Sequence, residues 1–340
     1  MFSKSQLVRL LGPLGLYSLA RVATRNQPRI LMYHRFSDSP QPGRISRQAF
    51  EFQVKHLARY YNLVSMTDLV KGLRGEIPLK PNSIVITVDD GYLDFYTVAY
   101  PILKNYQVPA TVFVTTKFVD GDFWLWPDKI SYLLNSLTEI REEIELGGRR
   151  LSSRPLTPAY KKVAWQAIVE YLLTRPEDEK LNWINNFAVQ QKLNIPDAPA
   201  DDYRAVTWDQ LREMEEHGIE VGGHTVTHPS LGRVSSAQLK DEVTNCKKAL
   251  DQQLTIRERQ FCYPNGQVQD YSEEAKTIVS ESGFRSAVVA FYDSKRLSDL
   301  YELRRYSSSE DQFQFMKSVT GIELLASILT NSNSRLSWSY

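Results

Sequence analysis

The chain has 340 residues, of which 41 are basic and 40 acidic, for a formal net charge of +1. Hydrophobic residues make up 42% and charged residues 24%, which excludes a mainly disordered chain, a collagen-like chain and a multi-span membrane protein. The balanced charge leaves no general basic field, so nucleic acid is not an expected partner.

At roughly 150 residues per domain, the length fits two domains, or one α/β barrel with an insertion. A chain this long buries about 75% of its unfolded surface and needs no structural metal or disulfide. A metal found here would therefore serve chemistry. The two cysteines, Cys246 and Cys262, form no C-x-x-C pair and exclude a disulfide framework. Their scarcity agrees with a reducing compartment.

Residues 1–37 carry Lys4, Arg9, Arg21, Arg25, Arg29 and Arg35 and no acid. The uncharged run between Arg9 and Arg21 is eleven residues, against about 20 for a membrane span. Ser18-Leu19-Ala20 resembles a signal-peptidase site, but positive charge continues directly after it and resists translocation. Residues 1–27 thus read as a basic helical segment. It either lies on an anionic membrane or packs on the domain beside it. The expected location is the cytoplasm, with the inner membrane surface as an option and export as the weaker reading.

Eight β-rich runs follow in chain order. They are Arg29–His34, Asn62–Ser65, Ser83–Asp89, Ala110–Thr116, Ile219–Gly222, Gln260–Tyr263, Ser286–Phe291 and Glu302–Tyr306. Many are continuously apolar, as strands covered on both faces are. Helical patterns lie between them, at Phe50–Tyr60, Trp208–His217 and Ser235–Gln252. Ser235 to Gln238 reads as a capping box for the last. Alternation of strand and helix predicts an α/β fold, a deformed barrel of about seven parallel strands. Residues 28–306 form this unit. A helical insertion at about 122–205 opens with Phe123-Trp124-Leu125-Trp126 and is marked by prolines. Residues 307–340 form a helical tail with an amphipathic stretch, Phe313–Leu329.

Two clusters carry chemistry. Thr87-Val88-Asp89-Asp90-Gly91 ends an apolar strand. Two adjacent carboxylates there are costly unless a cation or hydrogen bonds hold them. In α/β barrels, active sites lie at the carboxyl ends of strands. His224-Thr225-Val226-Thr227-His228 follows the strand Ile219–Gly222. One aspartate and two histidines make the three-ligand set of an open metal site. The second aspartate is then free to act as a base. A non-haem iron oxygenase would use the same ligand types but gives the Asp-Asp pair no role.

These motifs resemble the polysaccharide deacetylases with a NodB homology domain, carbohydrate esterase family four. That family has TFDDG and H-[ST]-x-x-H. Leu31-Met32-Tyr33-His34-Arg35 resembles the first strand of one branch. Phe261-Cys262-Tyr263-Pro264-Asn265-Gly266 resembles that branch's FxYPxG third motif. The likeness runs from about residue 28 to 306, outside the insertion. It implies one divalent metal, zinc before cobalt or nickel, held by Asp90, His224 and His228. Asp89 is the implied general base. The backbone N–H of Asn265 is the implied oxyanion donor. The implied partner and substrate is an N-acetylated glycan.

Two departures follow. The commoner third motif has an arginine where this chain has Cys262, and that arginine orients the base. Arg304 or Arg305 could replace it. The late histidine that serves as acid is absent, and His34 could fill that role or bind substrate. The alternatives are a deacylase of a lipid-linked or small glycan at the inner membrane surface, and a carbohydrate-binding member with weakened catalysis. Cys262 reads as a packed side chain, and His56 and His217 as surface or interhelical residues.

Overall fold

The computed structural model describes residues 4–152, 155–293 and 297–324. Eight strands form the main sheet, and every pair in it is parallel. One path through it begins at Ala287–Val288 and Phe261–Cys262. It continues through Ile219–Gly223, Ala110–Val114, Ser83–Val88 and Arg29–Tyr33 to Tyr306–Ser307. Asn62–Leu63 pairs beside the start of Ser83–Val88. Each of the eight expected strands has a counterpart; several are shorter than expected, and the last is shifted from Glu302–Tyr306 to Tyr306–Ser307, with only an isolated bridge at Leu303.

The sheet curls until its edges meet through one stretch of chain. Leu303 bridges to Val288 on one edge. Three and four residues later, Tyr306 and Ser307 pair with Leu31 and Met32 on the other. The result is the deformed barrel.

Strand periodicity sorts the side chains into two sets. Ile30, Val85, Phe113, Cys262, Val288 and Leu303 converge in one cluster with Met66, Leu69 and Val70 of the helix Met66–Leu73. These fill the barrel interior. Their neighbours Leu31, Ile84, Ile86, Val112, Val114 and Ala287 face outward and meet the surrounding helices. Both faces are dry, which explains the continuous apolar runs. Glu220 also lies inside. It accepts from the backbone N–H of Met66 and Thr67 and from the Thr111 hydroxyl, closing the N-terminus of that helix.

The helices begin where the sequence signals them. Ser46, Ser65, Thr157, Ser235 and Ser272 each accept a backbone N–H three residues on. A reciprocal capping box forms at Thr207 and Gln210.

Between Ala110–Val114 and Ile219–Gly223 the chain makes a long excursion. It holds the helices Trp126–Ser136, Pro158–Leu173 and Glu177–Gln190. It also holds an antiparallel hairpin, Ile144–Leu146 with Arg149–Leu151, which the helical reading of this stretch did not include. These elements share their own core, built on Trp126, Ile130, Leu134, Ile168 and Phe187. At the far end, the helix Gln312–Thr320 packs on the helix Tyr17–Ala23. Residues 325–329 of the amphipathic stretch lie outside the described residues.

Gly222 marks a tight place in the barrel wall. A Cβ there would stand 2.5 Å from the Phe113 ring and 2.6 Å from the Gln260 carbonyl oxygen. Gly222→Ala is expected to cost about 1–3 kcal/mol, because neither neighbour can give way without moving a strand. A urea titration should show a lower midpoint with the same slope. An unchanged midpoint would mean that the wall is looser than the packing implies.

Candidate active site

Asp89 and Asp90 follow the strand Ser83–Val88. His224 and His228 follow Ile219–Gly223, Asn265 follows Phe261–Cys262, and His34 follows Arg29–Tyr33. Since the strands are parallel, all these loops share one end of the barrel. The loops are also bonded to each other. Asp89 N–H donates to the Tyr33 carbonyl, Thr115 N–H to the Asp90 carbonyl, and Thr116 N–H to the Thr225 carbonyl.

The backbone at these loops is unusual. Asp90 (φ 74), Thr225 (φ 66), His228 (φ 61) and Asn265 (φ 58) are all left-handed. For a β-branched threonine this conformation is strongly disfavoured and persists only when surrounding bonds impose it. The bonds here are visible. The Thr225 hydroxyl accepts the His228 N–H at 2.9 Å. Glu242 accepts the N–H groups of Val226 and Thr227 at 2.8 and 2.9 Å and the Thr227 hydroxyl at 2.5 Å. Glu242 comes from the helix Ser236–Gln253 and is buried. Its position was not legible in the sequence.

Asp90, His224 and His228 bring three donor atoms together. Oδ1 of Asp90 is 3.3 Å from His224 Nε2 and 3.4 Å from His228 Nε2. His224 Nδ1 lies 2.7 Å from the Cys262 carbonyl, which can only accept. The proton is therefore on Nδ1, and Nε2 offers a lone pair toward Asp90. His228 Nδ1 is buried without a hydrogen-bond partner. Zinc–ligand bonds of about 2.0 Å in a tetrahedron give donor separations of about 3.3 Å. The donor types and their spacing both fit a divalent transition metal. Burial pushes the Asp90 carboxyl up, but its close contacts with His224 and His228 outweigh this and hold it well below its ordinary value.

Asp89 has a different partner. The Arg305 guanidinium grips it with two bonds of 2.6 Å, one to each carboxylate oxygen. Arg305 also donates to the Val289 carbonyl and the Thr87 hydroxyl. Burial raises the Asp89 carboxyl, and the charge and hydrogen bonds of Arg305 more than reverse this. Asp89 therefore stays ionised in a dry site. The parity of the last strand decides which arginine arrives. Leu303 points into the barrel, so Arg305 does too, and Arg304 points away. Arg304 pairs with Asp293 at 2.6 Å and Glu302 at 2.7 Å. Of the two candidate arginines, only Arg305 is at the site.

His34 presents Nε2 at 3.6 Å from Asp89 Oδ2 and is 30% exposed, so it stands between the buried carboxylate and solvent. Cys262 Sγ lies 3.5 Å from the same oxygen. Burial keeps this thiol protonated, which rules out a resting thiolate. Asp89, His224 and Cys262 also cluster closely. Arg305 already occupies Asp89, and His224 Nδ1 carries a proton, so this second trio does not fit a cation. Asn265 Nδ2 is buried without a hydrogen-bond partner. His56 and His217 lie away from the site. His56 packs among Tyr60, Tyr61 and Phe315, and His217 Nδ1 bonds the Glu213 carbonyl.

The insertion reaches the site through a buried polar chain. Tyr92, two residues after Asp90, donates to Asp128 of the insertion at 2.8 Å. Arg35 lies over the Tyr92 ring at 3.8 Å and pairs with Asp94 at 2.6 Å. The backbone joins in, with Tyr92 bridging Ala205.

A parallel barrel that gathers a buried three-donor cradle and an arginine-held carboxylate at the carboxyl ends of its strands has the architecture of an α/β-barrel active site. Comparison with known proteins makes the class specific. A family model described as "Polysaccharide deacetylase" matches residues 76–147 and 180–287, just over half of the chain. The chain belongs to the polysaccharide deacetylase family, whose members hydrolyse amide bonds of acetylated polysaccharides.

It is 22% identical over 260 residues to a putative polysaccharide deacetylase of Bacillus subtilis, covering 76% of this chain and 63% of that protein. It is 40% identical over 60 residues to the poly-beta-1,6-N-acetyl-D-glucosamine N-deacetylase of Escherichia coli, 18% of this chain and 9% of that one. The chain thus spans less than two thirds of these relatives' lengths. Among solved structures, IcaB from Ammonifex degensii aligns with a TM-score of 0.57 at 18% identity, over 87% of this chain and 97% of that one. The Streptococcus pyogenes deacetylase PplD aligns with a TM-score of 0.55 at 20% identity, over 87% and 96%. These likenesses show the shared fold.

Asp128 makes the link to the insertion sensitive to pH. Burial raises its carboxyl to about 7, against the pull of Arg35 and the Tyr92 hydroxyl. It binds its proton more tightly folded than unfolded. Its contribution to stability is full below about pH 4 and is lost as pH rises through about 7. Asp128→Asn keeps an acceptor for Tyr92 and carries no charge. Its melting temperature should therefore gain on the wild type from about pH 5 to about pH 8. Parallel melting curves across that range would show that Asp128 is not protonated in the fold.

Proposed function

We propose that the chain is a metal-dependent de-N-acetylase that acts on an N-acetylated glycan. The observation that carries this is the cradle of Asp90, His224 and His228 beside an ionised Asp89. When bound there, a divalent cation supplies Lewis acidity and a water acidified at neutral pH.

The chain's own residues supply the rest. Asp90 and the two histidine Nε2 atoms hold the cation. Asp89 takes a proton from the attacking water. Arg305 donates one bond to each Asp89 oxygen, and the carboxylate retains a lone pair for that proton. Arg305 fixes the carboxylate plane and keeps it charged in a site where burial alone would neutralise it. His34, on the solvent side of Asp89, delivers a proton to the departing amine nitrogen. The backbone N–H of Asn265 faces the developing oxyanion. Acetate and a free amine on the sugar leave.

The reading as a binding protein with weakened catalysis rested on the missing third-motif arginine and the missing late histidine. The grip of Arg305 on Asp89 answers the first and favours turnover.

The test measures metal content by elemental mass spectrometry and acetate release from an N-acetylated oligosaccharide. Asp90→Ala and His224→Ala should each lose the metal. Asp89→Asn should keep it and lose about 10²–10⁴-fold in rate. Metal-free wild type that stays empty after zinc, cobalt or nickel is added back would refute the proposal. Glu242→Ala frees the histidine loop and should weaken metal affinity by about 10–100-fold, measured by competition with a chelating dye. Unchanged affinity would mean that the loop holds its shape without the clamp.

A further inference from the structure

Two short helices precede the barrel, Lys4–Leu11 and Tyr17–Ala23. The π-type turn Gly12–Leu16 joins them, and Gly15 takes φ 119 there, a backbone that other residues rarely adopt. One side of this pair is fastened to the barrel. Arg9 pairs with Asp311 at 3.6 Å and lies over the Phe313 ring, Arg21 lies over Tyr60, and Ala20 and Thr24 are buried.

The other side faces solvent and is apolar. Leu10 is 61% exposed, Leu14 79%, Leu19 68% and Val22 57%, with Leu11 also exposed. Scattered exposed leucines need no explanation, but five large aliphatics between residues 10 and 22 do. From residue 9 to residue 25 the charged side chains are Arg9, Arg21 and Arg25, with no acid in the segment, and Asp311 faces it from the barrel through its ion pair with Arg9. Arg9 is 65% exposed despite its ion pair, and Arg25 is exposed.

We propose that this helix pair docks on an anionic lipid surface. Leucines would enter the boundary between headgroups and acyl chains, while the arginines meet lipid phosphates. A second copy of the chain fits less well, because pairing the two faces would bring like charges together. Spanning is not an option for this segment, and among the described residues no helix is long and apolar enough to cross a membrane.

The direction of the pair gives the docking a consequence. Arg9 meets Asp311, just past Tyr306–Ser307, at the barrel end that carries the site. Thr24 meets Arg29, where the first strand begins, at the opposite end. The pair therefore runs along the barrel wall, and lipid on its outer face places the site's mouth beside the headgroups. This last step rests on the proposed function. It favours a glycan held at the membrane over one free in solution.

The test is flotation of the full chain with vesicles of phosphatidylcholine containing roughly one third phosphatidylglycerol, beside phosphatidylcholine alone. The protein should float with the anionic vesicles and about ten-fold less with the neutral ones, and added salt should release it. The variant Leu10→Gln, Leu14→Gln, Leu19→Gln alters exposed positions only. It should keep the wild-type melting temperature and lose about ten-fold in flotation. Its acetate release from a soluble oligosaccharide should match the wild type, which separates this proposal from the catalytic one. No flotation on anionic vesicles, or flotation that the variant retains, would overturn the lipid assignment. So would a dimer in light scattering that the variant abolishes, which would give the face to a second copy.

Discussion

The buried ion pair between Asp89 and Arg305 ties the molecule's ends to its centre. Removing two charges from water is costly, and good geometry with extra hydrogen bonds is what offsets it. Here both carboxylate oxygens are bonded, and the guanidinium also reaches Val289 and Thr87. Breaking one side would leave an uncompensated charge in the barrel. Arg305 belongs to the stretch that joins the two edges of the sheet. Barrel closure and the state of Asp89 are therefore one event. An open sheet would leave Asp89 without its counter-charge, and burial would then favour the neutral acid.

The second constraint is conformational. Four non-glycine residues of the site loops hold left-handed backbones. The strain is spread over three strand ends and is held by bonds from outside the loops. Glu242 on a helix grips the histidine loop, and Thr115 and Thr116 tie it to the aspartate loop. Preorganisation of this kind fixes donor atoms before any ligand arrives.

Much of this was legible in the sequence, and the parts that were not share a cause. Apolar runs marked most of the strands, because a strand dry on both faces has a plain signature. The two motifs at strand ends located Asp89, Asp90, His224 and His228, since parallel strands bring their carboxyl ends together. Choosing between Arg304 and Arg305 required the parity of the closing strand, which a short run does not reveal. The hairpin Ile144–Leu146 with Arg149–Leu151 was missed because three-residue strands carry too little alternation. Glu242, Asp128 and Tyr92 act through contacts between distant segments, and no local pattern announces such contacts. The Ser235 cap was local, and its bond to the Gln238 N–H forms as read, though without the reciprocal half of a capping box.

The insertion leaves from Ala110–Val114 and returns at Ile219–Gly223, two strands that pair along their full length. Because these strands are parallel, the chain leaves at the site end after Val114 and re-enters at the opposite end at Ile219, with the helix Trp208–Glu216 making the return, so both junctions are fixed by the barrel itself. The entropy of closing so long a loop grows only slowly with its length. With a core of its own, the insertion behaves as a cassette plugged into a fixed socket. Evolution or an engineer can lengthen, shorten or exchange it without disturbing the register of the barrel. The condition is that the replacement present an acceptor to Tyr92 and keep the contacts that Arg35 and Arg44 make with Asp202.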